Sequence, residues 1–495
     1  MLLQAFLFLL AGFAAKISAQ PVTLFKRETN ADKWRSQSIY QIVTDRFART
    51  DGDTSASCNT EDRLYCGGSF QGIIKKLDYI KDMGFTAIWI SPVVENIPDN
   101  TAYGYAYHGY WMKNIYKINE NFGTADDLKS LAQELHDRDM LLMVDIVTNH
   151  YGSDGSGDSI DYSEYTPFND QKYFHNYCLI SNYDDQAQVQ SCWEGDSSVA
   201  LPDLRTEDSD VASVFNSWVK DFVGNYSIDG LRIDSAKHVD QGFFPDFVSA
   251  SGVYSVGEVF QGDPAYTCPY QNYIPGVSNY PLYYPTTRFF KTTDSSSSEL
   301  TQMISSVASS CSDPTLLTNF VENHDNERFA SMTSDQSLIS NAIAFVLLGD
   351  GIPVIYYGQE QGLSGKSDPN NREALWLSGY NKESDYYKLI AKANAARNAA
   401  VYQDSSYATS QLSVIFSNDH VIATKRGSVV SVFNNLGSSG SSDVTISNTG
   451  YSSGEDLVEV LTCSTVSGSS DLQVSIQGGQ PQIFVPAKYA SDICS

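Results

Sequence analysis

Between Ser38 and about Tyr357, short apolar runs alternate with helix-length amphipathic stretches. The runs are Ile39–Val43, Ala87–Ile90, Leu141–Val147, Ile228–Ile233, Tyr254–Val259, Leu316–Val321 and Ile352–Tyr357. A weaker eighth falls at Tyr280–Tyr284, and amphipathic stretches such as Gly72–Met83 and Ala125–Arg138 lie between. Strand-then-helix repetition specifies a parallel sheet, and about eight units over this length predict an α/β fold, a (β/α)8 TIM barrel. A doubly wound sheet is the alternative arrangement of the same units.

One connection breaks the rhythm. About 80 residues separate Val147 from Ile228, and Tyr151–Leu204 is rich in Gly, Ser, Asp and Tyr. A structureless loop of that length is disfavoured, so residues 150–204 are expected to form a subdomain inserted after the third strand, on the catalytic face. After about Tyr407 the pattern becomes short alternating runs: Gln411–Phe416, His420–Thr424, Val429–Asn434, Val444–Ser447, Leu457–Leu461, Leu472–Ile476 and Gln482–Val485. These predict a C-terminal antiparallel β-sandwich domain over 408–495, leaving 28–149 and 205–407 to the barrel.

Composition narrows the setting. A formal net charge of −27, from 32 basic and 59 acidic residues, excludes nucleic acid and anionic membrane surfaces as partners. The apolar run Leu2–Ala15 followed by Ile17-Ser18-Ala19 reads as a signal peptide over 1–19, and the Lys26-Arg27 pair marks a propeptide over 20–27. The mature chain is expected to be secreted, extracellular and monomeric, with no membrane span. Eight cysteines in that context allow four disulfides; Cys58/Cys66 and Cys178/Cys192 would each close a small loop. Asn225-Tyr226-Ser227 is the one glycan acceptor sequon.

The chemistry sits at the ends of three apolar runs, in Asp234, Glu258 and Asp325. Residues i and i+2 of a strand share a face, so Arg232 lies inward beside Asp234 and should hold it ionised at neutral pH. An ionised, fixed carboxylate suits a nucleophile at a sugar's anomeric carbon. Glu258 would then hold a proton for the leaving oxygen, and Asp325, beside His324, would favour an oxocarbenium-like transition state. Asn149, at the end of another run, and Asp203, at the far end of the insertion, offer hard oxygens suited to Ca2+. The aromatic segment Tyr103–Trp111 offers ring faces on which sugars stack.

At these residues the chain resembles the α-amylase family of glycoside hydrolases. Asp145–His150, Gly230–His238, Gly257-Glu258-Val259 and Phe320–Asp325 are similar to its four signature regions, and Leu201-Pro202-Asp203-Leu204 to a fifth. The likeness covers nearly all the mature chain and is strongest to secreted fungal and yeast members. It implies endo-acting, retaining hydrolysis of α-1,4-glucosidic bonds in starch, glycogen and maltooligosaccharides. It also implies Asp234 as nucleophile, Glu258 as proton donor and Asp325 as transition-state stabiliser. Tyr110, Trp111, His150, Arg232, Lys237, Gly262, His324, Asp368 and Arg372 correspond to sugar-binding positions. Calcium would be held by Asn149, Asp203 and the main-chain carbonyls of Gln190 and His238. The disulfides it implies are Cys58–Cys66, Cys178–Cys192, Cys268–Cys311 and Cys463–Cys494. Two departures stand out: Gln190 replaces a Glu, and Arg63 replaces a Gln that contacts substrate at the cleft edge.

Overall fold

The computed structural model describes residues 30–494, so the expected signal peptide and propeptide lie outside the described residues. Eight parallel strands form the core: β1 Ile39–Ile42, β2 Ala87–Ile90, β3 Leu141–Val147, β4 Gly230–Asp234, β5 Tyr254–Gly257, β6 Gly276–Val277, β7 Thr318–Asn319 and β8 Ile352–Tyr356. Their hydrogen-bonded order is β7-β8-β1-β2-β3-β4-β5-β6. Ser278, just after β6, bridges Thr318 of β7 and closes the ring. Every strand residue is buried, as the near-continuous apolar runs require when helices cover the outside and side chains fill the inside.

The interior is packed rather than hollow. Ile39, Ala87, Trp89, Met143, Val256 and Val354 meet there. Trp34, on the helix Asn30–Arg35, closes one end by stacking on Tyr254 at 5.6 Å and donating to the Asp229 carbonyl. Gly230 is required at that point, because a Cβ would approach the Trp34 ring to 2.5 Å.

Outside, the helix Ala125–His136 starts with a reciprocal cap between Thr124 and Asp127 and buries Leu128, Leu131, Ala132 and Leu135. That spacing is one face of a 3.6-residue period. Gly72–Met83 instead divides into Phe70–Lys75 and Leu77–Lys81, parted at Lys76 with φ −117°.

Two expected strands differ. Tyr280–Tyr284 opens a helix, Tyr280–Phe290, and the sixth strand is the two-residue Gly276–Val277 just before it. Asn279 caps the helix through the Leu282 N–H, and Pro281 sits in its first turn, where no donor is lost. A short aromatic run fits either period, and here tertiary packing decides, since Tyr283 stacks on Phe320 at 5.4 Å. Leu316–Val321 contributes only Thr318–Asn319 to the sheet, so Asp325 lies on the following loop and not at a strand end.

The insertion after β3 consists of 3-10 turns, the short helix Gln186–Ser191 and a two-stranded ladder, Glu194–Gly195 with Ala200–Leu201. Bridges His150↔Asp203 and Phe174↔Leu204 bring its two ends together, and the Leu204 N–H donates to the Asn149 carbonyl just past β3. An unforeseen hairpin after β2, Val94–Asn96 with Met112–Ile118, carries the aromatic segment Tyr103–Trp111.

The C-terminal domain has eight strands: β9 Ser413–Ser417, β10 Val421–Arg426, β11 Val429–Asn434, β12 Ser441–Ser447, β13 Asp456–Glu459, β14 Ser464–Ser467, β15 Asp471–Gln477 and β16 Gln482–Pro486. Six form an antiparallel sheet in the order β9-β10-β11-β16-β13-β14, and β12 pairs with β15. Val430 and Val432 of the sheet pack on Val444, Ile446 and Val474 of the pair, as in a β-sandwich. The strand β14, mostly Ser and Thr, carries too little apolar pattern to be foreseen. Asn435 anchors the domain by donating its amide to the carbonyls of Phe289, Thr292 and Ser295. All four implied disulfides are formed, Cys58–Cys66, Cys178–Cys192, Cys268–Cys311 and Cys463–Cys494.

Candidate active site

Strand register assembles the site. Asp145 of β3 pairs with Arg232 of β4, and Val147 with Asp234. Ile233 pairs with Gly257 of β5, which places Glu258 next to Asp234. Arg232 is buried among them. Its Nη1 donates to Asp145 at 3.0 Å and to Asp234 at 2.7 Å, while Nη2 lies 2.8 Å from Glu258 Oε1. Arg232 lies beside Asp234 as expected, and the same cation also reaches Asp145 and Glu258, so it ties three carboxyl groups.

Environment distinguishes them. Burial, reinforced by the like charges of Asp234 and Asp325, pushes the Glu258 carboxyl up to about 8 despite Arg232. Its other stabilising contact is the Ser235 N–H at 3.1 Å. Burial also lifts Asp145, to about 7, although the Tyr110 hydroxyl at 2.8 Å and Trp89 Nε1 at 3.0 Å donate to it.

Asp325 comes from the loop after β7 and faces His324 Nε2 at 3.1 Å and Arg372 Nη2 at 3.5 Å. Burial holds the His324 imidazole well below its usual range. Gln41 Nε2 donates to His324 Nδ1 at 2.9 Å, which leaves the ring proton on Nε2, toward Asp325. The loop is clamped from below. Asn371 donates its amide to the carbonyls of Asn323, His324 and Asn326, and Arg372 Nε adds a second bond to His324.

These groups open into a cavity of about 830 Å³. Asp234, Glu258 and Asp325 line it, together with eight of the nine predicted sugar-binding positions: Tyr110, Trp111, His150, Lys237, Gly262, His324, Asp368 and Arg372. The ninth, Arg232, lies beneath the carboxylates. Tyr110 stacks on His324 at 5.0 Å and 6°. Asp368 pairs with Arg372 at 2.9 Å and with Arg63 at 3.6 Å, so the Arg that replaces Gln engages a cleft carboxylate. Glu194, Tyr183, Phe260 and Tyr284 also line the cavity and escaped sequence reasoning. Phe260, 42% exposed and two residues past Glu258, carried a usable signal, an aromatic just beyond a strand-end acid. Tyr183 and Glu194 sit in segments with no strand pattern, and Tyr284 sits in the run expected to be a strand, which is a helix.

The expected calcium ligands gather beside this cavity. Leu204 donates to the Asn149 carbonyl at 2.8 Å, which draws Asp203 up to the end of β3. Glu194 accepts from the Asn149 amide at 3.1 Å and lies 3.4 Å from His238 Nε2. The Gln190 side-chain amide nitrogen donates to the Val239 carbonyl at 3.1 Å. Asp203 gives one oxygen to His175 Nδ1 at 2.6 Å, and its Oδ1 is buried with no hydrogen-bond partner. Among the described residues no group of three or more His, Cys, Asp or Glu could hold a metal. The donors here are instead an orphaned carboxylate oxygen, an amide oxygen and carbonyls, a set that fits Ca2+. Asn225 is exposed near the end of the helix Ser209–Tyr226.

A parallel barrel with a proton-holding carboxyl beside an arginine-paired carboxylate, at the floor of an aromatic-lined cleft, defines a glycoside hydrolase. Known sequences narrow the class. The family model described as "Alpha amylase, catalytic domain" matches residues 41–421, and "Alpha-amylase, domain C" matches 414–495. The chain belongs to the α-amylase family. An alpha-amylase of Saccharomycopsis fibuligera is 99% identical over 487 residues, covering 98% of this chain and 99% of its own. Alpha-amylase 1 of Schwanniomyces occidentalis is 64% identical over 494 residues, covering 98% and 96%. The solved structure of an alpha-amylase from Malbranchea cinnamomea, 49% identical, superposes with a TM-score of 0.92 over 94% of this chain and 99% of that one.

Proposed function

We propose that the chain hydrolyses internal α-1,4-glucosidic bonds of starch, glycogen and maltooligosaccharides by retaining double displacement. Glu258 gives its proton to the glycosidic oxygen while Asp234 attacks the anomeric carbon, so one chain fragment leaves and a glycosyl ester forms on Asp234. Glu258, now a carboxylate, takes a proton from water. The resulting nucleophile displaces Asp234 and restores the original anomeric configuration. Asp325, placed by His324 and Arg372, opposes the positive charge that develops on the sugar ring in both steps. The observation that carries the reading is the Arg232 guanidinium holding Asp234 and Glu258 on its two terminal nitrogens. Retention calls for carboxyls roughly 5–5.5 Å apart, and a shared guanidinium suits such a spacing.

The predicted sugar-binding positions orient the chain: Tyr110 and Trp111 present ring faces, while His150, Lys237, Asp368 and Arg372 offer polar contacts to hydroxyls. Ca2+ would be held by Asn149, Asp203 and the carbonyls of Gln190 and His238, and when bound it fastens the insertion to the end of β3. We assign the chain to the extracellular space as a secreted monomer carrying a glycan on Asn225. Four disulfides support that setting, and among the described residues no helix is long and apolar enough to cross a membrane.

A maltoheptaose blocked at its non-reducing end tests the reading by NMR. Cleavage inside the chain with the α-anomer appearing first is expected. An uncut blocked chain would sink the endo reading, and a first-formed β-anomer would sink retention.

A further inference from the structure

The sequon at Asn225 opens into a groove. Asn225 lies in the last turn of the helix Ser209–Tyr226, which ends at Ser227 in the left-handed conformation, φ 53°. Phe222 precedes it by three residues and Trp218 by seven, so all three share one helix face. That face carries a row of rings: Trp218 stacks on Phe222 at 4.9 Å, and Phe222 meets Tyr226 edge-on at 5.4 Å.

Opposite runs the strand Met112–Ile118 of the hairpin after β2, tied to the helix by Trp218 Nε1 donating to the Ile115 carbonyl at 2.8 Å. Between strand and helix is an open cavity of about 230 Å³, and Asn225 is part of its wall. Tyr116, on the strand side, leaves 57% of its surface exposed. Ser217 and Asp221 add exposed polar groups beside the rings.

An exposed ring over a groove lined by further rings marks a surface that something covers. A pyranose offers its apolar face to an aromatic ring and its hydroxyls to neighbouring polar groups. A sugar joined to the Asn225 amide nitrogen starts at the wall of this groove. Its effective concentration there is on the order of mM, so a contact too weak to capture a free sugar becomes populated.

We propose that the first N-acetylglucosamine of the Asn225 glycan folds back into this groove and stacks on Tyr116. It thereby seals the junction between the hairpin after β2 and the helix Ser209–Tyr226. The same hairpin presents Tyr110 and Trp111 to the cleft, so the glycan braces one wall of the active site from outside. This rests on the reading of Asn225 as glycosylated.

The test uses the full chain secreted from yeast, with occupancy of Asn225 read by mass spectrometry. The unaltered chain, Asn225→Gln, Tyr116→Ala and the double variant are melted. Loss of the glycan should lower the melting temperature by about 2 °C when Tyr116 is present, and by less than half as much in Tyr116→Ala. An endoglycosidase that leaves a single N-acetylglucosamine should preserve the difference. Equal losses with and without the Tyr116 ring overturn the proposal, as does disappearance of the effect on trimming. A second readout does not depend on stability. In NMR, ring protons of the trimmed sugar should lie upfield through the Tyr116 ring current and return to their free positions in Tyr116→Ala; unshifted protons also overturn the proposal. Failure of the underlying reading looks different, since the unaltered chain would then have the mass of the bare polypeptide, and the proposal falls with it.

Discussion

Asn371 is fully buried beneath the loop that carries Asp325, and its amide nitrogen reaches the carbonyls of Asn323, His324 and Asn326 at 3.3, 3.0 and 2.9 Å. In Asn371→Ala all three lose that donor. The His324 carbonyl keeps Arg372 Nε at 3.0 Å, so those of Asn323 and Asn326 bear the loss. At about 1–3 kcal/mol for each buried group left unsatisfied, stability should drop by about 2–4 kcal/mol, toward the lower end if water enters the space. Activity should suffer more. Asp325 lies between the two released carbonyls, and a misplacement of about 1 Å at a reacting centre costs about 100-fold. We expect kcat on blocked maltoheptaose to fall about 10- to 100-fold while KM changes little, because the sugar-binding walls of the cleft remain. Asn371→Asp should be at least as damaging, since it turns an acceptor toward three acceptors. Steady-state kinetics and thermal melts on both variants check this. A kcat within about threefold of the unaltered chain, with a lowered melting temperature, would refute the argument. The loop would then be held by Glu322, which accepts from Arg328 and the Phe329 N–H.

Glu258→Gln keeps the shape of the side chain but removes its titrating proton; kcat should drop by about 10²- to 10⁴-fold with maltoheptaose affinity changed only a few-fold, and a kcat within about tenfold of the unaltered chain would remove Glu258 from its role. The Glu258 carboxyl, raised by burial to about 8, is active when protonated, so kcat/KM should hold below that value and fall about tenfold per unit above it. The linked stability has the same sign: a raised folded value favours the fold while protonated, and that contribution is lost as pH rises through about 8. A basic limb centred below about pH 6 would contradict the assignment. Removing calcium with a chelator should lower the melting temperature and release the metal, with recovery on adding Ca2+; at 100-fold excess over Kd the ion contributes about 2.7 kcal/mol, and an unchanged melt would argue against the site.

The barrel was legible because six of its strands announce themselves as apolar runs bounded by helical patterns. The other two were less legible for a physical reason: β7 is only the middle of the run Leu316–Val321, and β6 lies just ahead of the run expected to be a strand. β6 and β7 have two residues each, and the packing of Tyr280, Tyr283 and Phe320 dominates that stretch, so hydrophobicity there reports contact between a helix and the barrel and not strand period. The three acids were legible because each follows an apolar run. Their division of labour was less so. Arg232 was foreseen beside Asp234, but its contacts with Asp145 and Glu258 depend on cross-strand register, which spacing along one strand does not encode. Glu194 and Tyr183 reach the cavity from the insertion, whose path is set by bridges and a disulfide and not by a periodic pattern.

That register explains why the site holds a proton at all. Arg232 brings one positive charge to Asp145, Asp234 and Glu258 within a buried floor. Three ionised carboxylates around a single cation would leave a surplus of buried negative charge, which desolvation opposes strongly, so a proton is retained among them. Its place follows from the remaining donors. Asp145 receives the Tyr110 hydroxyl and the Trp89 N–H, both of which favour its charged form, whereas Glu258 receives only the Ser235 N–H besides Arg232 and also feels Asp325. These contacts favour the protonated form at Glu258, the one carboxyl of the pair that lines the cleft, which is what the proposed proton donation to a glycosidic oxygen requires. Asp145, at the floor and absent from the cavity wall, shares the Arg232 charge with Glu258, and the proposed mechanism draws on that sharing.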